Sequence, residues 1–313
     1  MRPPRVCVLY ADGTNCDRET HYAFAKAGGE PELVHVNQLR SKEKKLADYH
    51  ILVIPGGFSY GDDVLAGKVL AVELTSFLAD QLQAFVDAGK PVLVFPAMGG
   101  RFYEFEDFGM IAAAEWFIAE GLFHFYTVDS VDNQAWCNWN AHPYERGWRH
   151  EDYDRYIIHE VVPFIRQRCG ADALLLTTGC SMGGYHSANF FFRHPDVFDS
   201  VISLSGVFSL RLFVGDYVDE RVYFNSPLLY LPNLNDEWYL EKYRRSRIIL
   251  CAGQGAWEEE MNAELAVLRG ILHAKGIPAW IDLWGQDVNH DWPWWRRMLP
   301  YFLGKLDENQ PRG

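Results

Sequence analysis

Short apolar runs separated by helix-length amphipathic stretches recur along the chain from residue 6 to about residue 300. Residues 6–10 predict a strand, 12–17 a polar turn, and 18–27 a helix stopped by Gly28-Gly29. Strands are predicted at 33–36 and 50–54, the second running into Pro55-Gly56-Gly57. A long amphipathic helix over 69–88 stops at Gly89, and residues 92–95 form a fourth strand. The alternation continues with a strand at 122–128 and a helix over 153–168, whose apolar Tyr153, Tyr156, Ile157, Val161, Phe164 and Ile165 fall at spacings of three to four. A strand over 173–176, a helix over 184–194, and strands at 201–204, 248–251 and 279–283 complete the pattern. Strands alternating with helices predict an α/β fold: a mostly parallel sheet flanked by helices. Residues 208–247, rich in Tyr, Pro and Asn, interrupt the rhythm and read as an insertion forming a cap or rim.

The chemistry concentrates where one predicted strand meets one predicted helix. Gly179-Cys180-Ser181-Met182-Gly183 follows the run 173–176 and precedes the helix 184–194, the arrangement of a nucleophile elbow. A tight strand-to-helix turn pushes Ser181 above the sheet, and glycines two residues to either side let the turn close without Cβ clashes. A base is expected on the loop after the last strand, and Gly285-Gln286-Asp287-Val288-Asn289-His290 supplies His290. An orienting acid is expected between them, after the strand 247–251, where the loop offers Glu258, Glu259 and Glu260. Glu258, nearest the strand end, is the candidate; the same three carboxylates also suit the solvated first turn of a helix reaching Leu272. Ser181 read simply as a turn serine, and His290 as a hydrogen-bonded histidine in a Trp-rich crust, are the structural alternatives.

Composition narrows the function. At 313 residues, with 49% hydrophobic and 15% aromatic content, the chain suits a globular enzyme with a large core. A formal charge of −13, from 29 basic and 42 acidic residues, argues against nucleic acid as a partner. Cys7, Cys16, Cys137, Cys169, Cys180 and Cys251 show no paired short spacings, which points to reduced thiols and a cytoplasmic setting. No leader is visible before the first strand, and no apolar run reaches transmembrane length, so no membrane association is expected. His142 and His150, like His186 and His194, are eight residues apart, which fits no common ligand spacing; no metal and no cofactor are expected. Trp136, Trp139, Trp257, Trp284 and Trp292 flank the candidate loops, as core or rim packing or as contacts for an aromatic acyl or sugar-bearing substrate.

Two resemblances divide the chain. Ala11-Asp12-Gly13-Thr14-Asn15-Cys16-Asp17-Arg18-Glu19-Thr20, Val34-His35-Val36-Asn37-Gln38-Leu39 and Ile54-Pro55-Gly56-Gly57-Phe58-Ser59-Tyr60-Gly61-Asp62-Asp63 resemble the glutaminase domain of formylglycinamidine ribonucleotide synthase, a class I glutamine amidotransferase, over residues 5–93. The resemblance implies a flavodoxin-like segment and a Gly-x-Cys-x-Gly elbow after residue 93, but Pro96 stands where the nucleophilic cysteine would be. Residues 91–304 resemble the putative-esterase family of the α/β-hydrolases, through Val94-Phe95-Pro96-Ala97-Met98-Gly99-Gly100-Arg101-Phe102-Tyr103-Glu104, Thr178-Gly179-Cys180-Ser181-Met182-Gly183-Gly184-Tyr185-His186 and Val288-Asn289-His290-Asp291-Trp292-Pro293-Trp294-Trp295. That resemblance implies an oxyanion hole made by the backbone amide of Met182 and by that of Gly99 or Gly100. Many relatives carry an Asp near Ala256, which is absent here.

The expectation is a fusion: residues 1–90 as an amidotransferase-like segment without its nucleophile, and 91–313 as an α/β-hydrolase domain with the 208–247 insertion. It would act as a serine carboxylic-ester hydrolase on a small-molecule ester through an acyl-enzyme, with a homo-oligomer left open. The alternative is an inactive glutaminase-like binding or scaffold module that pairs with the synthetase of purine synthesis. Residues 92–95 suit both families, and because one strand has only two edges, the hydrolase pairing predicts a single continuous sheet, with the N-terminal strands added beyond residues 122–128.

Overall fold

Nine parallel strands fall into two sheets among the described residues, which in this computed structural model are 3–12, 14–55, 74–79, 81–82 and 89–308. The chain divides into two compact units, Met1–Ala88 and Gly89–Gly313. In the first, β1 (Arg5–Tyr10) lies between β2 (Glu30–His35) and β3 (Ile51–Val53). Between β1 and β2 runs α1 (Asp17–Lys26), ended by Gly28 at φ +92°, a left-handed conformation that glycine adopts without steric cost. The short α2 (Val36–Arg40) is capped reciprocally: the His35 ring accepts from Asn37 N–H, and Gln38 accepts from His35 N–H. Cys7, Leu9, Val34, Leu39, Leu46 and Tyr49 form this unit's own core. The motif 56–63 and most of the predicted helix 69–88 lie outside the described residues.

The second unit is built on six parallel strands in the order β5-β4-β6-β7-β8-β9: β4 (Lys90–Phe95), β5 (Phe123–Thr127), β6 (Leu175–Cys180), β7 (Phe198–Leu204), β8 (Arg247–Ala252) and β9 (Trp280–Leu283). Period-two alternation sends successive side chains to opposite faces. Leu93, Phe95, Val201, Ile248 and Leu250 pack on one face, against α3 (Pro143–Tyr156), α4 (Val162–Cys169), α5 (Met182–Arg193), α6 (Glu237–Arg245) and α7 (Glu259–Ala274). Val92, Val94, Ile202, Leu204 and Ile249 pack on the other, against α8 (Trp292–Glu308) and the short helices of residues 104–119. The helix predicted over 153–168 is α3 and α4 joined by a wider π-helical turn, Ile157–Val161, just before Pro163, which has no N–H to continue the ladder. The insertion folds into short helices, including Glu220–Phe224 and Pro227–Tyr230, before α6.

The continuous sheet expected from the sequence is not formed. Both edges of β4 are taken, by β5 and β6, with Val92 opposite Phe125 and Leu176. Ile51–Val53 pairs with β1 instead, which closes a three-stranded sheet over its own core. With β1 paired on both sides and that core gathered, the N-terminal strands need no second sheet.

Candidate active site

At the end of β6 the chain turns straight into α5, and Ser181 occupies the turn with φ 57°, ψ −118°. A residue with a Cβ rarely adopts this conformation, which costs on the order of 1–3 kcal/mol and persists only where its surroundings enforce it. Here the Ser181 N–H donates to Leu204 O at 2.9 Å. A Cβ on Gly179 would lie 2.5 Å from Phe95 O, and one on Gly183 2.2 Å from the same atom, so only glycines let the turn approach β4 this closely. Ser181 is half-buried, whereas the neighbouring Cys180 is buried in the core and burial pushes its thiol far up. Burial likewise pushes Cys7 and Cys137 up to about 12. A thiol held protonated is a poor nucleophile, so of these two neighbours Ser181 is the candidate.

Glu258 and His290 come from the loops after β8 and β9 and are joined by a dense set of bonds. Gly255 N–H donates to Val288 O at 2.8 Å, Ala256 N–H to Asn289 Oδ1 at 2.8 Å, and His290 N–H to Ala256 O at 3.0 Å. A Cβ on Gly253 would sit 2.0 Å from Val288 O, so this contact also requires glycine. Glu258 is fully buried, while Glu259 and Glu260 are exposed at the start of α7. Glu258 Oε1 lies 3.5 Å from His290 Nδ1, looser than a hydrogen bond, as is common before a substrate is bound. The same oxygen accepts from Ser205 Oγ at 2.5 Å, and Ser205 Oγ accepts from Trp295 Nε1 at 2.9 Å. Trp295 in turn packs edge-on against the His290 ring, centroids 5.0 Å apart. Sequence reasoning missed Ser205 and gave Trp295 no role beyond the resemblance; a Ser-Gly pair ending an apolar strand carries no signal by itself.

The loop after β4 departs from expectation. Gly99 N–H donates to Asp132 Oδ2 at 3.1 Å and Gly100 N–H to Ala97 O at 2.9 Å, so neither amide is free to hold an oxyanion. Among the described residues, the N–H groups of Met98 and of Met182, the first residue of α5, have no acceptor. The cause is the loop after β5, whose buried Asp132 reaches across to claim Gly99. Nothing in the spacing of residues 99 and 132 announces that contact.

The four histidines weighed as metal ligands have structural surroundings instead. His142 caps α3, His194 bonds Asp154 at 2.9 Å, and His186 bonds Asp132 at 2.8 Å. The His150 ring stacks on that of His186, centroids 5.6 Å apart. Of the tryptophans, Trp136 is buried, Trp284 and Trp292 are half-buried, and Trp139 and Trp257 are exposed.

Residues 124–306 match the family described as "Putative esterase". The chain belongs to this family. Its esterase part is similar in structure to a ferulic acid esterase, with TM-score 0.53, 17% identity, and coverage of 70% of this chain and 85% of that one. It is also similar to an S-formylglutathione hydrolase from Agrobacterium tumefaciens, with TM-score 0.54, 12% identity, and coverage of 72% and 86%. At such identities the likeness shows the fold, that of the α/β-hydrolases. Residues 3–94 match the CobB/CobQ-like glutamine amidotransferase domain. Over 90 residues they are 53% identical to phosphoribosylformylglycinamidine synthase subunit PurQ of Treponema denticola, covering 29% of this chain and 33% of that protein. Against the same subunit of Methanococcus maripaludis the identity is 47%, over 29% and 34%. The chain thus spans about a third of the length of these relatives, and joins that third to an esterase-type hydrolase.

Proposed function

We propose that the second unit is a serine carboxylic-ester hydrolase that works through an acyl-enzyme. His290 takes the Ser181 proton as the hydroxyl attacks the ester carbonyl, and returns it to the leaving alcohol; water then repeats the sequence in reverse roles to release the acid. Glu258, buried beside His290 Nδ1, orients the imidazole and balances its charge when protonated. The amides of Met182 and Met98 hold the oxyanion, which moves the second donor one residue ahead of the expected Gly99. The strained φ of Ser181 at a strand-to-helix turn closed by Gly179 and Gly183 supports the reading, because that is the geometry of a nucleophile elbow and strain of this kind clusters at active sites.

The first unit is proposed to lack glutaminase activity. Pro96, buried at the end of β4, has no group that could attack an amide, and Cys7 is buried with its thiol pushed up to about 12. Ammonia release from glutamine, measured with and without a synthetase partner, is expected to stay at background; labelling of Cys16 by a glutamine-analogue affinity reagent would contradict this.

A further inference from the structure

We infer that Asp132 is a positioning residue that locks the oxyanion loop to the helix carrying the nucleophile. The inference rests on the ester-hydrolase reading above. Asp132 has no solvent exposure, and its two carboxylate oxygens serve two different elements. Oδ1 faces His186 Nε2 at 2.8 Å, and Oδ2 accepts from Gly99 N–H at 3.1 Å. His186 is fixed in α5 five residues beyond Ser181, about 7.5 Å along the helix axis, and Gly99 follows directly on Met98, whose amide is the proposed oxyanion donor. One carboxylate therefore spans the gap between the attacking oxygen's helix and the amide that must meet the developing charge.

The surroundings are built around that span. Ser130 Oγ accepts from Asp132 N–H at 2.9 Å, and Ser130 N–H donates to Gly100 O at 3.1 Å, so the same loop grips the oxyanion segment at a second point. Asp129 Oδ1 takes Phe102 N–H at 2.8 Å, a third grip. A Cβ on Gly99 would lie 2.9 Å from Asn133 Nδ2, so the loop after β5 also packs closely against Gly99 itself. Burial pushes the Asp132 carboxyl up, but the facing His186, with Ser130 and the Gly99 N–H, outweighs it and holds the group below the usual carboxylate range, so both oxygens stay acceptors. A buried carboxylate is a costly way to fix a loop that apolar contacts could hold; what it adds is a directed bond to each side.

The test compares kcat and KM for a short chromogenic ester in wild type, Asp132→Ala and Asp132→Asn, with phosphonate labelling of Ser181 followed in each. Asp132→Ala is expected to lower kcat about 50-fold with KM within twofold, since a displaced oxyanion donor acts mainly in the transition state. Asp132→Asn, which removes the carboxylate charge facing His186 but keeps an oxygen for Gly99 N–H, is expected to recover at least fivefold of that loss. If Asp132→Ala does not fold, the double variant Asp132→Leu/His186→Phe also removes the imidazole that would otherwise be stranded in the core, releases only the Gly99 N–H, and is expected to show the same fall in kcat. Wild-type kcat in a folded Asp132→Ala or double variant, with Ser181 labelled as in wild type, overturns the positioning role and leaves the hydrolase reading intact. Equal losses in Asp132→Ala and Asp132→Asn overturn it too, because the rate would then follow the charge and not the bond to Gly99. Failure of wild-type Ser181 to react with the phosphonate at all defeats the hydrolase reading and this inference with it.

Discussion

Trp257 is 80% exposed and held at φ 69°, a left-handed backbone that a bulky side chain seldom adopts. It sits between Ala256, bonded to Asn289 and His290, and Glu258, bonded to Ser205, so both its neighbours are anchored. Replacing it with glycine relieves a penalty of about 1 kcal/mol and gives up little buried surface, so Trp257→Gly is expected to raise the midpoint of chemical unfolding. A lowered midpoint would show that the indole makes contacts worth more than the strain. At Gly253 the sign reverses. A methyl group there meets Val288 O, and Gly253→Ala is expected to push the acid and base loops apart, lowering ester turnover by at least tenfold while the protein remains folded. Turnover unchanged in that variant would show that the separation of Glu258 and His290 does not limit the reaction.

At the level of elements, the strand ends and turn glycines around Ser181, Glu258 and His290 were legible in the sequence, because local periodicity and chain order carry that information. The contacts that complete the site were not. Asp132 reaching Gly99, Ser205 reaching Glu258, and the wider turn before Pro163 all depend on how separate elements pack. The packing of α3 on α5 has a pH signature of its own. His150 is fully buried between them, and burial, with the nearby His186 and Arg193, lowers its pKa to about 3. An unfolded histidine titrates near 6.5, so between about pH 6.5 and 3 the unfolded chain binds a proton that the folded one refuses. Stability is therefore lost as pH falls through that window, with a slope of about 1.4 kcal/mol per pH unit from this group. His150→Phe, which keeps a ring against Trp136, is expected to flatten the dependence of unfolding free energy on pH between 6 and 4 by about that amount. An identical slope in the variant would contradict the assignment to His150.

Across the whole molecule, the two family segments keep separate sheets and separate cores, and the strand they could have shared, β4, pairs as a hydrolase strand on both edges. The two sequence resemblances overlap at residues 91–93, yet strand pairing could not be read from them, since residues 92–95 are acceptable to either family. Because the six-stranded sheet holds all of Ser181, Glu258, His290, Met98 and Met182, the catalytic claim concerns the Gly89–Gly313 unit alone. It is tested most directly by treating the intact protein with a serine-directed phosphonate, locating the label by peptide mass, and following chromogenic ester hydrolysis in parallel with Ser181→Ala. The expected result is stoichiometric label on Ser181, loss of hydrolysis in proportion to labelling, and a fall of at least a thousandfold in kcat for Ser181→Ala. Label on another residue, or a Ser181→Ala protein that hydrolyses the ester at the wild-type rate, would contradict it.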